Sequence, residues 1–301
     1  MGDLADPVTD VKIGDVIKGI DGEPIESFFQ SHKKYVNASS ESAARNVLFY
    51  MPYLFPENFT ITLEGGRQAR VDREHQKLTP QAPSKTEGRT MASGAVGYMR
   101  IPSFDDPAFE EEALNVIKSF SGAGAIVVDV RHNGGGNTPT KLLTALMNKP
   151  FREWTESTPI QIGLVNVQLD PNAHATYRIP SVLEQPDGSA YAGKLILLVD
   201  GGCGSACEDF VAPFKDNHRA TIVGAATLGS TGQPYYLRLE NGMSFRVSTK
   251  REFFPDGGQF EGVGIKPDVQ LEPSTDDLRN GKDPVLEKAL ELAQEATSPS
   301  Q

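Results

Sequence analysis

The chain has 301 residues, 38% of them hydrophobic and 23% charged, which is enough for one large or two ordinary domains with a sizeable core. Its net charge of −11 argues against a general affinity for polyanions such as nucleic acid or anionic membrane surfaces. The longest apolar runs, AIVVDV and LILLVD, fall far short of the ~20 residues needed to span a bilayer, and the start, MGDLADPVTD, has neither the basic nor the apolar region of a signal peptide.

Residues 1–75 open with a short apolar run and a turn, DVIKGIDGEPI, followed by a helical stretch, SFFQSHKKYV to SAARNVLFYM. A strand pair follows in NFTITLEGGRQARVD, where Phe59, Ile61 and Leu63 alternate with the period of a half-buried strand and Gly65-Gly66 supplies the turn. Residues 76–93 are polar, carry two prolines and read as a linker. From residue 94 to 301, strands and helices alternate. AVGYMRI is a strand, and DPAFEEEALNVIKSF is an amphipathic helix with Asp105 or Asp106 as N-cap and Pro107 in its first turn. GAIVVDV is a buried strand, and TPTKLLTALMN is a helix capped by Thr138 and opened by Pro139. KLILLVD is a second buried strand, SACEDFVAPFKDN a helix disturbed by Pro213, and ATIVG a further strand. A hairpin turning at Asn241-Gly242 and a closing helix, DPVLEKALELAQEA, complete the order. This alternation, with continuously apolar strands, predicts an α/β domain built on a buried sheet.

Two turns in this pattern carry chemistry. In VVDVRHNGGGN a buried strand runs into Asn133-Gly134-Gly135-Gly136-Asn137, where successive glycines expose backbone N–H groups that can hold an anion or an oxyanion. It is neither a dinucleotide fingerprint nor a P-loop, and on its own it reads equally as a tight turn. In DGGCGSACEDF, Ser205 lies between a strand and a helix among residues small enough for a sharp turn. It reads either as an N-cap serine or as a nucleophile at a helix N-terminus, with the N–H of Ala206 beside it. Cys203 and Cys207, the only cysteines, form no disulfide scaffold and read as free thiols serving as small residues. No set of residues has metal-ligand spacing, and no cofactor is implied.

With three motifs in order, VVDVRHNGGGN, LLVDGGCGSACEDFVAPFKDNHRATIVGAATLGSTGQP and FFPDGGQFEGVGIKPDV, the chain from about 94 to 292 closely resembles the tail-specific, or C-terminal processing, serine peptidases, and most of all their tricorn-like branch. IGDVIKGIDGEPI resembles the middle of a PDZ-like module. The resemblance implies a crotonase- or ClpP-like α/β core after a partial PDZ-like module, a chain truncated within that module, and a protein or peptide substrate. It implies Ser205 as nucleophile, Ala206 and Gly134 or Gly135 as oxyanion donors, and Glu261 as the carboxylate that holds the array. The lysine base of the C-terminal processing branch has Ser230 at the matching position, which favours the histidine branch. Of His32, His75, His132, His174 and His218, none stands at that branch's position. His32, which follows Ser31, is kept as a possible base, and His132 as a cleft residue.

Three readings follow: a serine endopeptidase, a catalytically impaired relative that binds peptides or ligands in the same cleft, and a crotonase-like acyl-CoA enzyme. The resemblance also implies an exported, periplasmic or extracellular setting.

Overall fold

The computed structural model describes residues 11–73, 85–186 and 188–297. The first part is an antiparallel sheet made by β1 (Ile17–Ile20), β2 (Glu23–Pro24), β3 (Asn58–Leu63) and β4 (Gln68–Asp72), in the order β2-β1-β3-β4. Between β2 and β3 run α1 (Ile25–His32) and α2 (Glu41–Val47). The inward-facing Phe59, Ile61 and Leu63 meet Phe28, Phe29 and Leu48 in a core of their own.

The second part follows from its apolar strands. β5 (Glu87–Met91), β6 (Val96–Arg100), α3 (Pro107–Ser119), β7 (Ala125–Asp129) and α4 (Thr140–Leu146) come first. β8 (Phe151–Arg152), β9 (Thr155–Ile160), α5 (Gly163–Gln168), β10 (Ala175–Ile179) and β11 (Leu183–Glu184) intervene before β12 (Lys194–Val199), α6 (Ala206–Asp216) and β13 (Ala220–Gly224). The chain closes with β14 (Tyr235–Arg238), β15 (Ser244–Val247), β16 (Arg251–Phe253), β17 (Val269–Gln270), α7 (Thr275–Arg279) and α8 (Pro284–Thr297).

Six strands form one sheet in the order β17-β13-β12-β7-β6-β5, parallel throughout except for β5. Strands buried on both faces are apolar on both, and β7 and β12 are so from Ala125 to Val128 and from Leu195 to Val199. Ile126, Val128, Leu195 and Leu197 pack on one face with Leu142, Leu143, Phe210 and Phe214 from α4 and α6. Ala125, Val127, Ile196 and Leu198 pack on the other with Val285, Ala289 and Ala293 of α8. A separate sheet, β10-β9-β16, and the hairpin β14-β15 flank this core.

Three expectations are corrected. The linker reading of 76–93 fails at 87–91, which pair antiparallel with β6 as β5 (residues 74–84 lie outside the described residues). Gly88 fits there because the Val116 side chain occupies the place a Cβ would take, 2.2 Å away. Thr138 does not cap α4. Pro139 is itself the N-cap, and the Thr138 hydroxyl donates to Asp209 at 2.9 Å. Cys203 and Cys207 are not free thiols but are joined in a disulfide, because the turn at Ser205 brings their Cα atoms to 5.5 Å.

Candidate functional site

β7 and β12 are neighbouring parallel strands, so the turns leaving their C-terminal ends lie side by side. Asp200 joins them at the base. Its Oδ1 accepts from the N–H of His132 and of Gly202, each at 2.9 Å, and its Oδ2 lies 2.8 Å from His132 Nδ1. Burial would raise Asp200, but the His132 contacts win and hold it below the usual carboxylate range. Asn133 makes the second tie. It is fully buried, its Nδ2 donates to the Ile101 carbonyl at 3.1 Å, and its own carbonyl accepts from Gly204 N–H at 3.1 Å.

The two turns meet at Gly135 and Ser205. Gly135 has φ +97°, and a Cβ there would fall 2.6 Å from the Gly204 carbonyl oxygen and 2.8 Å from both Ala206 N and Ser205 Cβ. Only a glycine lets the backbones approach this closely. Gly135 N–H is engaged, donating to Asn133 Oδ1 at 2.9 Å. Among the described residues, the N–H groups of Gly134 and Ala206 have no hydrogen-bond partner.

Ser205 occupies the N-cap of α6, yet with φ 53° and ψ −127° rather than the extended geometry of an ordinary cap. A non-glycine residue pays roughly 1–3 kcal/mol for such a conformation, so surrounding contacts must hold it. Ser205 N–H donates to the Ser230 carbonyl at 3.0 Å and lies 3.2 Å from Glu208 Oε2. Glu208, fully buried, also accepts from Thr227 Oγ1 at 2.5 Å, Gly229 N–H at 2.6 Å and Ser230 N–H at 3.0 Å. Burial pushes its carboxyl up to about 7 against the pull of these donors. Glu208 thus ties the serine turn to the segment 227–230. It was not singled out from the sequence, although the Ser-x-x-Glu spacing of a capping box marks it.

Glu261 belongs to the same end of the molecule. Its neighbour Gly262 donates to the Gly229 carbonyl at 2.8 Å, one residue from the Ser230 that holds Ser205. Burial raises Glu261 to about 7, and its buried Oε1 has no hydrogen-bond partner among the described residues. On α6, Asp209 accepts from Thr138 Oγ1 at 2.9 Å and Trp154 Nε1 at 3.0 Å, and buried Glu252 pairs with Lys250 at 2.6 Å. The first part of the chain reaches this end as well. Asn46 Nδ2 donates to the Gly201 carbonyl at 3.4 Å, and a Cβ on Gly262 would meet the Ser39 carbonyl oxygen at 3.1 Å.

The two histidines separate. His32 keeps to its own helix, stacked on Phe28 with Nδ1 2.8 Å from the Phe28 carbonyl oxygen, and no hydrogen bond among the described residues links it to the serine turn. His132 lies over Gly202, three residues before Ser205, held through Nδ1 by Asp200. His75 lies outside the described residues.

A strained serine stands at a helix N-terminus beside unpartnered N–H groups, an arrangement whose donors can stabilise charge developing on an attacked carbonyl. Residues 95–271, more than half of the chain, match the model of peptidase family S41, and the chain belongs to that family. It is 26% identical over 275 residues to the chloroplastic C-terminal processing peptidase of Tetradesmus obliquus, covering 87% of this chain and 53% of that protein. It is 29% identical over 205 residues to the tricorn protease of Thermoplasma acidophilum, covering 66% of this chain and 17% of that one. The chain therefore spans about half the length of the first relative and a smaller share of the second. The fold is shared with mature CPAF complexed with lactacystin, at a TM-score of 0.71 and 18% identity over 96% of this chain and 79% of that one. It is also shared with the tricorn protease structure, at a TM-score of 0.52 and 21% identity over 94% of this chain and 25% of that one.

Proposed function

We propose that this chain is a serine-type endopeptidase acting through an acyl-enzyme on Ser205. The observation that carries the reading is the conformation of Ser205, φ 53° at the first turn of α6, next to the closely approaching backbone of Gly135 and the unpartnered N–H of Ala206. In this reading Ser205 Oγ attacks the peptide carbonyl and gives up its proton. The Ala206 and Gly134 N–H groups hold the oxyanion, the amine leaves with a proton, and water hydrolyses the ester to free the serine. Gly134 is preferred to Gly135 as the second donor because Gly135 N–H is taken by Asn133. Glu261, half-buried and with an oxygen left without a partner, orients the proton-accepting group. That group is a histidine which the described residues do not place beside Ser205, and its assistance is worth about 10²–10⁴-fold.

The sheet β2-β1-β3-β4 with α1 is proposed as part of a PDZ-like module, supported by its antiparallel order. An exported setting is supported by the Cys203–Cys207 disulfide, since such bonds persist in oxidising compartments. A second reading, binding without turnover, is favoured by one observation: Ser230 stands beside Ser205 where a lysine base would lie, and its backbone groups are used structurally. A fluorophosphonate probe tests the choice. Stoichiometric labelling that Ser205→Ala abolishes supports the peptidase. A folded chain that binds peptides but stays unlabelled supports the binding module.

A further inference from the structure

We propose that the Cys203–Cys207 disulfide is a positioning element of the Ser205 site, so that the competence of the serine depends on the thiol state of the protein. The inference rests on the reading of Ser205 as nucleophile.

The bond closes a ring over residues 203–207 with Ser205 at its centre and Ala206 inside it. One short covalent loop therefore encloses both the hydroxyl and a proposed oxyanion donor. Each end of the loop is anchored. Cys203 donates its N–H to the Asp200 carbonyl at 3.0 Å, and its carbonyl accepts from Leu228 N–H at 2.9 Å. Cys207 sits in the first turn of α6 and donates to the Gly204 carbonyl at 3.1 Å. Both cysteines are fully buried in the main core cluster, which includes Val130 and Phe210.

The residue they enclose needs such support. With φ 53° and ψ −127°, Ser205 lies where only glycine rests without strain, and its chain relaxes unless its neighbours are fixed. Its N–H is held by the Ser230 carbonyl and Glu208, and its carbonyl accepts from the N–H groups of Glu208 at 2.7 Å and Asp209 at 3.1 Å; these ties are all hydrogen bonds, and the disulfide is the covalent one. The disulfide fixes the residues two before and two after it, which limits the rotations open to the turn. Neither sulfur needs to touch the substrate, and both act through Ser205 and Ala206.

Reduction is a two-electron step. A dithiol reagent passes two electrons and two protons to the Cys203–Cys207 bond, which breaks to two thiols, while the reagent closes to its cyclic disulfide. The test compares fluorophosphonate labelling of Ser205 in oxidised protein, in protein reduced with dithiothreitol, and in the Cys203→Ala/Cys207→Ala variant. Far-UV circular dichroism and thermal melting confirm that each is folded. The expected result is labelling slowed by up to about 10²-fold by reduction and in the variant, the cost of displacing an attacking group by about 1 Å. Re-oxidation restores the rate of the reduced protein but not that of the variant. With a peptide ester, kcat should fall while KM stays, since the bond shapes the attacking turn rather than the substrate cleft. Equal labelling rates in oxidised and reduced protein would overturn the positioning role while leaving the nucleophile in place. Two alkylatable thiols in the unreduced protein would do the same. No labelling in either state removes the nucleophile reading and this inference with it.

Discussion

Gly135→Ala is the substitution whose outcome the structure sets most sharply. The new Cβ would lie 2.6 Å from the Gly204 carbonyl oxygen and 2.8 Å from Ala206 N and Ser205 Cβ, and two of these three atoms are backbone, which has little room to yield. At φ +97° alanine also pays about 1–2 kcal/mol for a left-handed backbone. Forcing the two turns apart adds roughly 1–3 kcal/mol of overpacking. Together these predict a loss of roughly 2–5 kcal/mol, or about 4–20 °C in Tm at the ~2–4 °C per kcal/mol of chains this size. The methyl also enters the space beside Ala206 N–H, so fluorophosphonate labelling should fall by about 10²–10³, the worth of one oxyanion donor. The control is Gly134→Ala, whose Cβ would meet nothing within 4 Å and which keeps its N–H. It should leave Tm near wild type. Differential scanning calorimetry and a labelling time course read the two effects. A Gly135→Ala protein as stable as Gly134→Ala and as reactive as wild type would refute the claim that the turns meet at this glycine.

Ser205→Gly should raise stability by about 1 kcal/mol, by relieving the φ of 53°, while abolishing labelling; a lower Tm would count against strain at the serine. Glu208→Gln places an amide NH₂ where donors converge on both carboxylate oxygens, from Thr227 and Gly229 on one side and Ser230 and Ser205 on the other. Each buried donor left unpaired costs about 1–3 kcal/mol, so both Tm and labelling rate should drop, and unchanged values would remove its positioning role. Burial raises Glu208 and Glu261 to about 7, so the fold binds protons that the unfolded chain releases above about pH 4.5. Their favourable contribution is full below that pH and is lost as pH rises through 7. Carboxyls held low, such as Asp200 and Asp283, are already ionised in both states there and add no slope. Tm should therefore decline between pH 5 and 8, less steeply in Glu261→Gln; a flat wild-type profile would contradict these shifts.

What could be read from the sequence divides along physical lines. β6, β7, β12 and β13 are buried on both faces, so their apolar runs announce them, and the turns between strand and helix are spelled in small residues because two backbones must meet there. β5 was hidden because Glu87 and Arg89 are exposed and Gly88 reads as a breaker, whereas its glycine is filled by Val116 from α3. The disulfide was hidden because C-x-x-x-C spacing does not fix a backbone, and the positive φ at Ser205 that fixes it has no signature of its own. Thr138 misled because Thr-Pro-Thr suits a cap on either side of the proline, and the partner that decided it, Asp209, is 71 residues away. Glu208 and Asn133 matter through contacts to turns elsewhere in the chain, which spacing alone does not disclose.

The same physics supports the proposed peptidase reading over the proposed binding module. Ser205 is held at its N–H by the Ser230 carbonyl and the Glu208 carboxylate, at its carbonyl by the N–H groups of Glu208 and Asp209, and by the disulfide ring around it. A strain of roughly 1–3 kcal/mol is a large fraction of the ~5–15 kcal/mol that keeps a domain folded. A chain that only bound peptides in this cleft would gain stability from glycine at position 205 and would lose nothing, since recognition of a bound carbonyl needs the N–H groups of Ala206 and Gly134 and not a hydroxyl. The serine side chain is the one component of the turn that such binding would not use, which supports the proposed role of Ser205 as nucleophile.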